Sequence, residues 1–262
     1  MGSLKDQLLA KGLTATPKPT PKPAATPVGP APIDPSVLRR QREQEEVAAA
    51  HAARSPRYLG GRIATLAAAR ELFEPRAYEL RNVSGDVDGS VDVERLFQPS
   101  VQVVDGDVTV DELRMCQEGS NLYILGDLTI TGRLFQPFRS NAVVVFGSLR
   151  AHHVVTGAEL LVFGDLDVSG VLYGNCTSYA TNVLGAARVG TLVSCKDHMF
   201  SFWGSRVIGE LVRRHSAPNF ETYGAAAGVR TGRAIDPAVG DPYDEASIAA
   251  ALHDRDDIFV DP

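Results

Sequence analysis

Apolar residues recur in this chain at alternate positions, in short bursts, and a glycine interrupts each burst. The anchoring glycines are Gly85, Gly106, Gly126, Gly147, Gly164, Gly185 and Gly204, 17 to 21 residues apart. Two residues before them stand Val83, Val104, Ile124, Val145, Val162, Val183 and Phe202, all apolar. Two after stand Val87, Val108, Leu128, Leu149, Leu166, Ala187 and Arg206. Four after stand Gly89, Val110, Ile130, Ala151, Val168, Val189 and Ile208. Period two marks a strand with one buried face. Glycine at the break suits a turn that needs φ > 0.

A second turn follows in the later repeats, at Gly132, Gly170, Gly190 and Gly209. A leucine stands two residues beyond each: Leu134, Leu172, Leu192 and Leu211. Two or three short strands per repeat, each ended by a corner, predict an all-β core. It is a single-stranded parallel β-helix, or solenoid, of about seven coils with flanking helices. Coils stacked about 4.8 Å apart would extend roughly 30–35 Å. The alternative is an antiparallel sandwich with Gly-Asp hairpin turns. A sandwich would not need the same apolar phase after every turn. The string RLFQP also repeats, at Arg95–Pro99 and Arg133–Pro137.

Five segments follow from this pattern. Residues 1–15 form a short amphipathic helix with Leu4, Leu8 and Leu9 on one face, a candidate recruitment helix. Residues 16–35 are Pro-rich and form an extended tether. Residues 36–80 read as a helical N-terminal cap region: Ser36 caps a polar helix, Gly60 and Gly61 break it, and a second helix starts near Arg62. That second helix carries Ile63, Leu66, Leu72 and Phe73, and stops before Pro75. The β-helix covers 81–215. Residues 216–262 are an acidic segment with a short helix capped by Asp244 and an apolar hook at Ile258, Phe259 and Val260. Solenoid ends expose raw core, so the flanking segments are expected to cap them.

Composition narrows the function classes. Of 262 residues, 44% are hydrophobic but only 7% aromatic, as a thin core of Val, Leu and Ile requires. The net charge of −6 argues against nucleic acid and anionic membranes as partners. No apolar run reaches the length of a membrane span. The N-terminal residues lack the apolar region of a secretory signal, and Asp6 stands where a myristoylation signal wants Ser or Thr. Cys116, Cys176 and Cys195 form no disulfide framework. They are expected reduced, in a cytoplasmic protein.

No strong catalytic or metal signature is present. Asp86, Asp107, Asp127 and Asp165 share a corner with Ser148, Ala186 and Ser205. The expectation is that these side chains accept hydrogen bonds from turn N–H groups. Cys195 and His198 make only half a zinc site. His152 and His153 are adjacent on a strand, so alternation should send them to opposite faces. His153 and His198 are the only candidates for acyl-transfer chemistry, and the hexapeptide repeats of such enzymes are missing. Cofactors: none are expected.

The mixed loops after the third strand of several coils stand out instead. They stack into a ridge, and such ridges bind partners. The candidate partner-binding residues are Phe97, Phe135, Phe138, Arg139, Tyr173, Asn175, Tyr179, Lys196 and His198. The alternative is corner packing, with Phe135 and Tyr173 at least partly buried.

Strings such as LYILGDLTITGRLF and ELLVFGDLDVSGVLYG resemble the coils of the bactofilins, bacterial polymer-forming β-helix proteins. They also resemble the β-helical domain of a bacterial cell-division inhibitor. The Pro-rich tether is bactofilin-like too. This likeness covers about 81–215 and implies the fold; for bactofilins it also implies assembly through coil ends. The helical block and the acidic segment are additions to that pattern and favour a monomer or small oligomer over a filament. A shorter string, SLKDQLLAKGL, is similar to the start of small bacterial nucleic-acid-associated proteins, a role the acidic balance opposes. The sequence thus predicts a non-enzymatic protein-binding scaffold, an inhibitor or immunity protein being one instance. The alternatives are a structural protein assembling through its ends, and an enzyme with an unrecognised site.

Overall fold

The apolar bursts pair in parallel, rung upon rung. The computed structural model describes residues 59–83, 93–97, 100–115, 120–137, 142–176, 179–196, 198–213, 233–241 and 243–260. The tether, the polar helix at 36–54 and the candidate residues Leu4, Leu8, Leu9, Phe138 and Arg139 lie outside them.

One sheet begins with β1 (Arg62–Ala64), antiparallel to β2 (Ser100–Val104). It continues in parallel through β5 (Ser120–Ile124), β7 (Val143–Val145), β9 (Leu160–Val162), β11 (Ala180–Val183) and β13 (Met199–Phe202). The other sheet is wholly parallel. It stacks β3 (Val108–Val110) and β4 (Leu113–Arg114) on β6 (Leu128–Gln136), then β8 (Leu149–Thr156), β10 (Leu166–Asn175), β12 (Ala187–Cys195) and β14 (Arg206–Arg213). The register slips inside β6, β8 and β10, where the strand turns a corner near Gly132 and Gly170. Each rung therefore has three sides: the short strand, then the two halves of the long one.

The side chains form columns. Val104, Ile124, Val145, Val162, Val183 and Phe202 stand in register across six rungs. So do Val110, Ile130, Ala151, Val168, Val189 and Ile208, and Leu113, Leu134, Val154, Leu172, Leu192 and Leu211. These residues share one dry core. Each rung buries its inward face only because its neighbours cover it, so the rungs stabilise one another. Six rungs at strand spacing span roughly 24 Å. A seventh rung, expected around Gly85, is not found among the described residues. Its leading residue Val83 ends a helix, Ala77–Val83, which carries that stretch away from strand geometry.

The glycines act differently from the sequence expectation. Among the anchors from Gly106 to Gly204, only Gly106 has positive φ, at 77°. The others are required by crowding between rungs. A Cβ on Gly147 would stand 2.7 Å from the Gly126 carbonyl oxygen, and one on Gly164 would meet the Gly147 oxygen at 2.7 Å. Those carbonyls accept the glycine N–H groups of the next rung, at 3.1 Å for Gly147 and 2.9 Å for Gly164. Beside this column runs a second one of side chains. Asp107 Oδ1 accepts from the Asp127 N–H, Asp127 Oδ1 from Ser148, Ser148 Oγ from Asp165, and Asp165 Oδ1 from Ala186, at 2.8–3.1 Å.

The described helices lie along the sides of the stack. Thr65 caps α1 (Leu66–Glu71), accepting from the Ala68 N–H at 3.2 Å. This corrects the expected helix start at Arg62: residues Arg62–Ala64 are drawn into β1 by the open edge of β2, and Ile63 is exposed. With α2 (Ala77–Val83) and α3 (Val93–Leu96), α1 covers the outward Val101, Val103, Tyr123, Val144 and Leu161 of the short strands. Phe73 sits among Phe97, Tyr123, Phe146 and Phe163 there, with ring centroids 5.0–6.0 Å away. Tyr123 donates its hydroxyl to the Leu96 carbonyl, and burial pushes its pKa up. On another side, α4 (Glu245–Asp254), β15 (Ala234–Ile235) and β16 (Phe259–Val260) pack on the outward residues of the long strands' second half. The coil ends are not where these helices sit, because the outward apolar columns of two sides offer them far more surface to bury.

Two substitutions at the glycine column separate crowding from conformation. Gly147→Ala should cost about 3 kcal/mol through forced rung separation, while Gly106→Ala, with open space around it, should cost about 1–2 kcal/mol. Urea unfolding of both variants checks the order. Val168→Asp, which buries an unpaired charge in the central column, should cost about 4 kcal/mol or more.

Candidate functional site

Several described residues of the ridge of mixed loops are covered by the chain's own C-terminal segment. Phe135 and Tyr173 are 1% and 0% exposed, under Ile248, Leu252 and Phe259 of the C-terminal segment. Asn175 is buried. It donates Nδ2 to the Tyr243 carbonyl at 2.9 Å and to Glu245 Oε1 at 2.6 Å. Lys196 is exposed and donates Nζ to the same Tyr243 carbonyl at 3.1 Å. The polar handles at the ridge thus converge on the chain's own segment. Burial holds the Glu245 carboxyl above its usual range. Phe97 belongs to the aromatic cluster around Phe73, and Tyr179 is half-buried with Arg95 over its ring at 4.2 Å.

His198 is 2% exposed, and its Nε2 lies 3.0 Å from Thr181 Oγ1. Gly174 leaves room for its ring. Burial pushes its pKa down to about 3, so it is a neutral, packed imidazole at ordinary pH. Cys195 is buried close by in sequence and faces the C-terminal packing layer. The pair does not form a site together with other ligands: among the described residues, no group of three or more His, Cys, Asp or Glu is placed to hold a metal ion.

A different constellation is assembled at the corner where the long strands bend. Here His152 and His153 lie side by side, ring centroids 4.0 Å apart. Strict alternation does not hold at this corner because the register slips between β8 and its neighbours. His153 is 1% exposed, and Nδ1 accepts from the Val171 N–H at 3.0 Å, which puts the neutral ring's proton on Nε2. That Nε2 makes no hydrogen bond of normal geometry. Burial first, then the neighbouring His152, lower the His153 pKa to about 4. His152 reaches Ser169 Oγ at 2.8 Å and Asp256 Oδ1 at 3.6 Å.

Beside the imidazoles is a nearly buried ion pair, Arg133 to Glu112 at 2.7 Å. The Arg133 Nη1 group has no partner. Asp111 accepts from the Thr131 hydroxyl at 3.1 Å. The C-terminal end of α4 supplies the opposite wall, with Asp254, Arg255 and Asp256. The crevice between them holds about 700 Å³. Sequence reasoning missed it, because its two walls are more than a hundred residues apart. The local signals were the adjacent His152 and His153 and the corner glycine preceding Arg133.

No protein-family model matches the sequence, and neither the curated proteins nor the solved structures contain a match. Among the described residues, no helix is long and apolar enough to cross a membrane.

The two buried imidazoles make stability depend on pH in a stated direction. Above the ordinary histidine pKa of 6.5, both rings are neutral in the folded and unfolded chains, and stability is complete. As pH falls through 6.5, the unfolded chain binds protons that the folded chain refuses until about pH 4 and pH 3. Stability should therefore fall across that window, by on the order of a few kcal/mol. Urea midpoints from pH 7 to pH 4 check this, and His198→Gln should flatten the slope. Phe135→Ala should cost about 3–5 kcal/mol, as a buried aromatic does.

Proposed function

We propose that this protein is a non-enzymatic scaffold that binds a protein partner through one side of its β-helix. The observation that carries this is the unequal covering of the three sides. Outward residues of the short strands are buried under the N-terminal helices, and those of the long strands' second half under the C-terminal segment. Among the described residues, no segment covers the first half of the long strands. Its outward column reads Thr129, Arg150, Asp167, Arg188 and Val207, in register and all exposed or half-exposed.

That side is flat and rigid because ladder hydrogen bonds fix it. It carries alternating charge, with Arg150 3.8 Å from Asp127 and Arg188 3.4 Å from Asp167. These pairs are solvated and weak, so their groups remain available to a partner at small desolvation cost. A shallow depression of about 200 Å³ lies among Arg150, Asp167, Arg188 and Val207. Val207 is 64% exposed and gives the surface an apolar contact. A cytoplasmic setting belongs to this reading, in keeping with the buried free thiol of Cys176.

A second reading, bactofilin-like assembly through coil ends, is favoured by one feature. Among the described residues, β13 and β14 have no strand on their outer sides. At the other end, β1 already occupies the edge of β2. There β3 and β4 likewise have no outer strand among the described residues, so both ends keep unpaired edges and only the β2 edge is blocked.

Affinity capture with full-length protein, followed by the variant Arg150→Glu with Arg188→Glu, tests the first reading. The charge-reversed protein should fold normally and lose the captured partner. Retention of the same partner would contradict the proposal. Sedimentation velocity over a range of concentrations tests the second: filaments would favour it, and a single small species would not.

A further inference from the structure

The ladder of side chains beside the glycine corner breaks at one rung. Asp107, Asp127, Ser148 and Asp165 each accept the N–H of the residue that follows the next glycine, at 2.8–3.1 Å. Ala186 holds the same phase and carries no acceptor. The N–H it would satisfy belongs to Ser205, which follows Gly204 on the last rung. Among the described residues, that N–H has no acceptor. Ser205 is exposed, and together with Ala186 it lines the shallow depression of about 200 Å³ on the side that no described segment covers. The place of the missing oxygen therefore opens into that depression.

The surroundings select what can fill it. Arg188 stands two residues after Ala186 on the same face of the strand. Its side chain is 74% exposed and lies 3.4 Å from Asp167. Arg150, 60% exposed, lines the same depression and lies 3.8 Å from Asp127. Two carboxylates line it as well, and both are engaged: Asp165 Oδ1 accepts the Ala186 N–H, and Asp167 faces Arg188. A guanidinium carries five N–H donors, and one solvated pair leaves most of them available. A cation placed in the gap would meet the Ser205 N–H and Arg188 head on. A carboxylate would meet donors only, and the fold itself fills the equivalent place with Asp on three rungs.

We propose that this gap takes an aspartate or glutamate side chain of the protein partner, an inference that rests on the partner-binding reading above. One carboxylate oxygen accepts the Ser205 N–H, as Asp165 Oδ1 does for Ala186, and the other meets the Arg188 guanidinium. The partner thereby completes the ladder. Val207, one rung beyond Arg188 and exposed, supplies an apolar contact to the partner residue next to that acid.

The test titrates isotope-labelled full-length protein with the end-blocked peptide Gly-Asp-Gly, and with Gly-Asn-Gly as the uncharged control. The Ser205 amide resonance should move saturably with Gly-Asp-Gly, at concentrations on the order of 1 mM, as two charge-assisted contacts imply. Gly-Asn-Gly should bind about tenfold more weakly. Ala186→Asp supplies the carboxylate from within. It should raise the urea midpoint and abolish the Ser205 response. Ala186→Asn fills the same place without charge and should also abolish the response, which separates occupancy from repulsion. No saturable movement of Ser205, equal affinity for the two peptides, or an unchanged response in either Ala186 variant would overturn the site. Partner capture then separates this inference from the reading beneath it, because Ala186→Asp keeps Arg150 and Arg188. If that variant retains the partner while Arg150→Glu with Arg188→Glu loses it, the gap is not used and the reading of the side stands. If the charge-reversed variant retains the partner while wild-type Ser205 answers Gly-Asp-Gly, the reading of the side fails and the carboxylate site stands.

Discussion

The close approach of successive rungs at the glycine corner is the constraint on which the structure depends. Gly126, Gly147, Gly164 and Gly185 each donate an N–H to the glycine carbonyl of the rung before. No side chain fits at those positions, since a Cβ would collide with that neighbouring rung. The Asp and Ser side chains beside them add a second rung-to-rung hydrogen bond through the next backbone N–H. With the corner locked, the columns of Val, Ile and Leu fall into register and the core becomes continuous. The corner sets the register, and the hydrophobic columns supply the stabilisation.

A stack fixed in this way has three long sides, and the chain treats them unequally. Aromatic and aliphatic outward residues on two sides require cover, and the flanking segments provide it. Polar and charged outward residues on the third side do not. The proposed binding role follows from that division rather than from any catalytic constellation. The bend between the bare side and one covered side also brings Arg133, His152 and His153 to the wall formed by α4. There, surface chemistry and a concave shape coincide.

The columns were legible in the sequence because period-two alternation is local, and because the same phase returns after every turn. Val104, Ile124, Val145 and Val162 could be placed in one column without coordinates. The role of the glycines was not legible. Glycine in a turn ordinarily suggests positive φ, and only the contact with another rung shows that space is the reason at Gly147. The places of the flanking segments were hidden for a similar cause. Phe135 and Tyr173 are expected at least partly buried, but nothing near them in sequence shows that helix Glu245–Asp254, over a hundred residues after Phe135, is what covers them. The crevice was concealed by the alternation rule itself, which fails where the strand turns between His152 and the next rung.

Methyl NOE spectroscopy on selectively labelled Val, Leu and Ile side chains tests the central claim most directly. The account predicts contacts from Val104 to Ile124, Ile124 to Val145, Val145 to Val162 and Val162 to Val183, with no direct contact between next-nearest members of the column. Contacts of Val145 with residues outside this order, or methyl groups of the column exposed to solvent, would contradict it.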